Sequence, residues 1–193
     1  MTKKRAILKA ATLLFATKGY NDTSMNEVAR MTASASATIF YHFKNKEELY
    51  LAVLENVKDR ILGDFSAYFS RKHFKTGLDM VEGIIDFYLY MAGILEDGFQ
   101  LLHHYYTYRL AQENPVCRRH LEAVYDVLVS LLEEAIRKGQ QDGSIVETPP
   151  RKGALIVLST VDSVVRFNTY NLFDAGALYD DLTKSCRRML ESR

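Results

Sequence analysis

The chain is poor in everything that builds a loop-rich or cross-linked protein. Three prolines and ten glycines in 193 residues leave too few turn formers for an all-β chain of many short strands. Two cysteines, Cys117 and Cys186, are too few for a disulfide framework, so a reducing, cytoplasmic setting is the expectation. No apolar run approaches the roughly 18 residues that a membrane span needs, and no membrane partner is expected. The Lys-rich start is not followed by an uninterrupted apolar stretch, so it does not read as a signal peptide. One further absence is local. From Thr76 to Tyr108 there is neither Lys nor Arg.

What is present is ordinary in bulk and uneven in distribution. A hydrophobic content of 48% with 25% charged residues suits a globular protein, and the length allows one or two domains with real cores. The net charge of +1 conceals an asymmetry. Residues 1–46 hold eight bases (Lys3, Lys4, Arg5, Lys9, Lys18, Arg30, Lys44 and Lys46) against Asp22 and Glu27, a balance of +6 that leaves the remainder at −5. A basic first quarter on an acidic body implies a polyanionic partner at one end only.

Apolar periodicity makes the chain all-α. Ile7, Leu8, Ala11, Leu14 and Phe15 recur at helical spacing, and Gly19 is placed to end that helix. Ser24 with Glu27 is a capping box that opens a second helix, whose buried side is Met25, Val28 and Ala29. It stops near Thr32 or Ala33. A third short helix runs from about Ala35 to His42, with Ile39 and Phe43 facing the core and Ser34 or Ser36 as candidate cap. Asn45 with Glu48 forms a second capping box, opening a long helix through Leu49, Val53, Val57, Ile61 and Phe65. Further helices are expected from Gly77 to Leu95, from Asp97 to Ala111, from Asn114-Pro115 to the Gln141-Asp142-Gly143 turn, from Pro149-Pro150 onward, and over 175–191. Two short helices joined by a tight turn, within a basic segment, form a helix-turn-helix layout.

The segment from Ile7 to Val53 resembles the N-terminal domain of the TetR/AcrR family of bacterial transcriptional regulators. The resemblance rests on the FATKGY stretch, Thr23-Ser24, Val28-Ala29, Thr38-Ile39-Phe40, Tyr41-His42-Phe43 and Lys46-Glu47-Glu48-Leu49, about a quarter of the chain. It implies a three-helix DNA-binding domain at 1–48 and a larger helical ligand-binding and dimerisation domain at 49–193. It also implies a homodimer that binds a double-stranded operator and, by the family's habit, a repressor released by a small effector. The chain departs from the family pattern at Ala33, Ala35 and Ala37, where Gly, Ser and Gly are usual, and at Phe40, where Tyr is common. A left-handed turn costs a non-glycine residue free energy, so the expectation at Ala33 is a different turn geometry.

The candidate DNA contacts are Thr23, Ser24, Ala35, Ser36, Thr38, Tyr41, His42 and Lys46. A reading helix needs short side chains so that its backbone can approach the major-groove floor; Ala35, Ser36, Ala37 and Thr38 are all short. Ser36 and Thr38 are expected at base edges, with Thr23, Ser24, Tyr41, His42 and Lys46 on phosphates. The helix carries no Arg, Asn or Gln, so part of the specificity falls to DNA shape and to the basic arm at Lys3–Arg5.

The body offers a candidate effector wall. Residues 76–108 hold five acids and seven aromatics, with Met91, His103 and His104 among them. Phe87, Tyr90, Met91, His103 and Tyr106 are the candidate ligand-binding residues, and the absence of bases there favours a bulky apolar effector, neutral or cationic. Adjacent His103 and His104 point about 100° apart on a helix, which does not suit a shared metal; for Cys117 and His120, one helical turn apart, a surface or interface role is the expectation. No metal, cofactor or catalytic group is expected. Two other classes stay open: a small helical enzyme using Glu96, His103, His104 and Tyr106, and an architectural DNA binder without a ligand. The helix after Pro150 is apolar on nearly every side, so it is expected to bury one face on the core and one on a partner, together with the helix at 116–137. Val157 and Val161 are candidates for the partner face.

Overall fold

A computed structural model describes residues 2–192. Ten α-helices account for most of them: α1 (Lys3–Lys18), α2 (Met25–Met31), α3 (Ser36–His42), α4 (Lys46–Phe69), α5 (Gly77–Ile94), α6 (Glu96–His103), α7 (Tyr105–Glu113), α8 (Pro115–Asp142), α9 (Pro150–Thr169) and α10 (Tyr179–Leu190), the last preceded by a 3-10 turn at Ala175–Leu178. No β-strand forms among the described residues; an isolated antiparallel bridge joins Ile145 to Glu191. The all-α expectation holds.

The chain folds as two compact units. One contains residues up to Arg60 together with Glu96–Glu122; the other contains Ile61–Leu95 and Ala123–Arg193. The 48/49 division drawn from sequence falls inside α4, which runs unbroken from the first unit into the second.

In the first unit, Ile7, Ala11, Phe15, Val28, Ile39, Leu49, Tyr50, Val53 and Leu54 are all removed from water, each large apolar side chain contributing about 1.5–3 kcal/mol. The core also takes in Leu101, Leu110 and Cys117, from the part of the chain assigned by sequence to the other domain. Sequence predicted one helix over 97–111, but it breaks at His104, where ψ is 137°. The break is well satisfied. His104 Nδ1 accepts from the Tyr106 amide (3.1 Å), and the Thr107 hydroxyl donates to the Leu101 carbonyl (2.6 Å), replacing the helical partner lost there. Tyr50 and Thr107 then share a buried hydroxyl–hydroxyl bond of 2.6 Å.

The second unit is built around α5, α8, α9 and α10. Thr76 and Asp79 form a capping box at the start of α5. Gly77 lies so close to α8 that a Cβ there would fall 2.0 Å from the Gly139 nitrogen, so only glycine permits this crossing. On α9 the buried face is Gly153, Ala154, Val157, Leu158, Val161 and Val165. This corrects one expectation: Val157 and Val161 belong to the unit's own core, and the apolar residues left exposed are Leu155, Ile156 and Phe167.

Candidate nucleic-acid interface

The N-terminal helices are held by devices that the sequence announced and by some it did not. The Ser24–Glu27 box forms in both directions: the Glu27 amide donates to Ser24 Oγ (3.2 Å), and the Ser24 amide donates to Glu27 Oε2 (2.8 Å). Lys18 adds a 2.7 Å ion pair to the same carboxylate. These contacts, the Lys18 hydrogen bond first, hold the Glu27 carboxyl down at about 2. At the far end of α2, Ala33 sits at φ 46°. Its amide donates to the Arg30 carbonyl (3.1 Å), and the Ser34 amide donates to the Ala29 carbonyl (2.9 Å). Those two bonds are a Schellman closure. The left-handed turn is therefore kept with alanine in the place of glycine, and the expected change of geometry does not occur. Neither serine caps α3: its N-cap is Ala35, without a side-chain bond, and Ser34 Oγ donates to the Thr32 carbonyl instead (3.2 Å). At the start of α4, Asn45 Oδ1 accepts from the Glu48 amide (2.8 Å), but the Glu48 carboxylate turns to the Lys44 amide (2.9 Å).

On α3, Ile39 is fully buried. Residues two positions away lie about 200° around the helix, so Ala37 and Tyr41 point away from the core. Tyr41 is 85% exposed and Phe40 50% exposed. Ser36, Ala37, Phe40 and Tyr41 thus form the outward face, flanked by half-buried Thr38 and His42. Sequence reasoning left Ala37 and Phe40 out of the contact set; helical phase measured from Ile39 would have included Ala37. It also missed Asn26 on α2, whose Oδ1 accepts a 2.9 Å hydrogen bond from Ser36 Oγ. The bases Lys3, Lys4, Arg5, Lys9, Arg30 and Lys44 are exposed in the same unit.

Two of the eight suggested DNA contacts face inward. Thr23 is 2% exposed and donates its hydroxyl to the carbonyls of Gly19 (2.8 Å) and Leu14 (3.1 Å). Lys46 points its ammonium at the carbonyls of Tyr20 (2.8 Å), Thr23 (3.0 Å) and Asn21 (3.3 Å), above the Tyr20 ring at 4.4 Å. An ammonium has three donors, and here all three are engaged by carbonyls. Both side chains fix the turn between α1 and α2, in place of the free phosphate clamps that sequence suggested. Ser24 has its hydroxyl in the capping box, while Ala35, Ser36 and Tyr41 are exposed.

The candidate effector residues divide between the units. Phe87, Tyr90 and Met91 lie in the second. Phe87 stacks on Tyr68 at 4.2 Å and meets Phe65 edge-on at 4.8 Å, Tyr90 is largely exposed, and Met91 is buried. His103 and Tyr106 lie in the first unit. Tyr106 stacks on Tyr20 at 3.9 Å, and burial, then Tyr20, pushes its hydroxyl well above the ordinary phenol range. Among the five acids of the base-free stretch, Glu82 is paired with Arg187 at 3.0 Å and Asp79 is engaged in its capping box. No cluster of three metal-ligating side chains occurs among the described residues, and no helix among them is long and apolar enough to cross a membrane.

The geometry of α2 and α3 defines a helix-turn-helix unit with a short-residue outward face. Residues 7–53 match the model of the bacterial regulatory proteins of the tetR family. That match takes in 47 of the 193 residues. The chain is 41% identical over 54 residues to the HTH-type transcriptional regulator QacR of Staphylococcus aureus, a match covering 28% of this chain and 29% of QacR. The chain thus matches less than a third of this curated relative's length. Whole-length likeness comes from solved structures. A protein of Saccharomonospora viridis, described as a transcriptional regulator and solved with choline, aligns with a TM-score of 0.88 at 19% identity over 98% of both chains. FadR of Bacillus subtilis, solved with stearoyl-CoA, aligns with a TM-score of 0.75 at 19% identity over 95% of this chain and 97% of that one. At such identity these two establish the shared fold.

Proposed function

We propose that the protein is a ligand-responsive transcriptional regulator: a homodimeric repressor, acting in the cytoplasm, that leaves its operator when a small effector binds. The observation carrying this reading is the outward face of α3, short or aromatic and free of acids, set in a basic unit whose sequence matches the tetR-family domain. Ser36, Ala37, Phe40 and Tyr41 meet the major groove. His42, Lys44, Arg30 and the arm at Lys3–Arg5 supply phosphate contacts. Thr23, Ser24 and Lys46 shape the turn that presents them. A gel-shift titration on DNA upstream of the protein's own reading frame tests this. Saturable, sequence-selective binding that weakens with salt is expected. Binding indifferent to sequence would favour an architectural protein. A small helical enzyme gains no support, because Tyr106 is stacked on Tyr20 and His104 caps α7.

The effector is assigned to the second domain, with Phe87, Tyr90 and Met91 as candidate contacts. The two solved relatives carry a small quaternary cation and an acyl-CoA respectively, so the charge preference must come from this chain's own side chains. With no base from Thr76 to Tyr108, an anion would be buried without a counter-charge there. A bulky apolar molecule, neutral or cationic, fits the aromatic surfaces better. Binding moves α4, which with α8 is common to both units, and so changes the spacing of the two reading helices from the 34–36 Å of successive major grooves. In a thermal-shift screen, lipophilic cations or neutral aromatics should stabilise the protein. Stabilisation by fatty-acid anions alone would reverse the charge assignment.

A further inference from the structure

We infer that Asn26 and Ser36 act as one reading group, so that α2 as well as α3 reads a base, and that the base is adenine. The inference rests on the DNA-binding function proposed above.

The geometry is specific. Asn26 lies on the exposed side of α2, away from the core residues Met25, Val28 and Ala29. Ser36 is the first residue of α3. Their 2.9 Å side-chain bond crosses the turn between the two helices, ten residues apart in the chain, and is exposed to solvent. The turn does not need it, since the Schellman pair of backbone bonds at Ala33 and Ser34 closes the end of α2. An exposed neutral hydrogen bond adds at most a modest increment to stability. What it does is set direction. The chain neighbours of Ser36, Ala35 and Ala37, are exposed and end at a methyl, and Asn26 and Ser36 are themselves exposed, leaving the pair accessible.

The hydrogen-bond inventory then fixes its polarity. Ser36 has a single hydroxyl proton, and it is committed to Asn26 Oδ1. The serine oxygen therefore offers only lone pairs outward. The Asn26 amide is held by its oxygen, so its Nδ2 protons are the outward donors. A donor beside an acceptor complements adenine in the major groove, whose edge presents N7 as acceptor and N6–H as donor. Guanine presents two acceptors, N7 and O6, so its O6 would face the serine lone pairs. Cytosine and thymine each lack one half of the complement on their own edge.

The test is a double-mutant cycle on the full-length protein. Wild type, Asn26→Ala, Ser36→Ala and the double variant are each selected against a randomised duplex library, with circular dichroism and melting to confirm folding. Expected is one adenine position preferred over guanine by wild type by about tenfold or more, in keeping with a good two-bond contact. That preference should fall in both single variants, and the double variant should lose no more than the worse single one. Asn26→Asp, which replaces the donors by acceptors, should move the preference at that position away from adenine. A sequence-selective wild type whose two single variants alter different positions, or whose losses simply add, would overturn the pairing. A wild type with no sequence preference would overturn the DNA-reading function itself.

Discussion

At the scale of single residues, the same side-chain type serves opposite ends depending on which way the backbone turns it. Lys46 was placed at a helix start in a basic segment, where a phosphate clamp is the natural reading. Its ammonium instead closes the turn between α1 and α2 through the carbonyls of Tyr20, Asn21 and Thr23. Nothing in a linear sequence marks a lysine as spent on carbonyls more than twenty residues away. Lys46→Ala should therefore lower the melting temperature of the DNA-free protein, by an amount equivalent to about 1–2 kcal/mol for partly buried charge-assisted bonds. A pure phosphate contact would leave the melt untouched and alter only the salt slope. The two cysteines make a second residue-scale case. Burial, and then the Glu47 charge, pushes the Cys117 thiol up to about 11, and burial raises that of Cys186. Both should resist alkylation in the native protein at neutral pH and react promptly once it is unfolded.

At the scale of elements, what was legible came from local chemistry. The Ser24–Glu27 box, the Asn114-Pro115 start of α8 and the period of α1 need only neighbours in sequence, and each forms as read. The break between α6 and α7 was not legible, because the groups that stabilise it, the Thr107 hydroxyl and its partner Tyr50, meet only in three dimensions. The outward face of α3 was half legible: composition indicated a reading helix and Ile39 its buried side, which already turns Ala37 and Tyr41 outward, whereas the 50% exposure of Phe40 is seen only in the structure. The Asn26–Ser36 bond was hidden because it joins two helices. Two predictions belong here. Ala33→Gly should stabilise the protein by about 1 kcal/mol, since glycine removes the steric cost of φ 46° while both closing bonds remain. Glu27 gives an acid dependence. Its carboxyl is depressed from 4.5 to about 2. Its contribution is thus complete above pH 4.5 and is lost as pH falls toward 2. Glu27→Gln should flatten that part of the stability curve in an acid titration followed by circular dichroism.

At the scale of the whole molecule, a single reading helix contacts too few bases to select one genomic site, and a two-fold operator asks for a two-fold protein. For the proposed homodimer, the exposed side of α9 in the second unit is the candidate surface. Along α9 the exposed residues include Leu155, Ile156, Ser159, Thr160, Ser163 and Phe167. Two of the three hydroxyls in the middle of this strip are turned back on the helix, since Thr160 donates to the Ile156 carbonyl (2.8 Å) and Ser163 to the Ser159 carbonyl (2.7 Å). An apolar strip with small residues at its centre allows another helix to approach closely. Burying Val157 and Val161 in the unit's own core moves the decisive substitutions one step around the helix. Leu155→Asp or Ile156→Asp should give a folded monomer in analytical ultracentrifugation, with operator binding lost at concentrations where wild type is saturated. Val157→Asp should instead unfold the second unit, because it places a charge where the wild-type side chain is fully buried. Separating these outcomes needs sedimentation and melting on the same samples. Should both classes of variant remain dimeric and folded, α9 is not the contact surface.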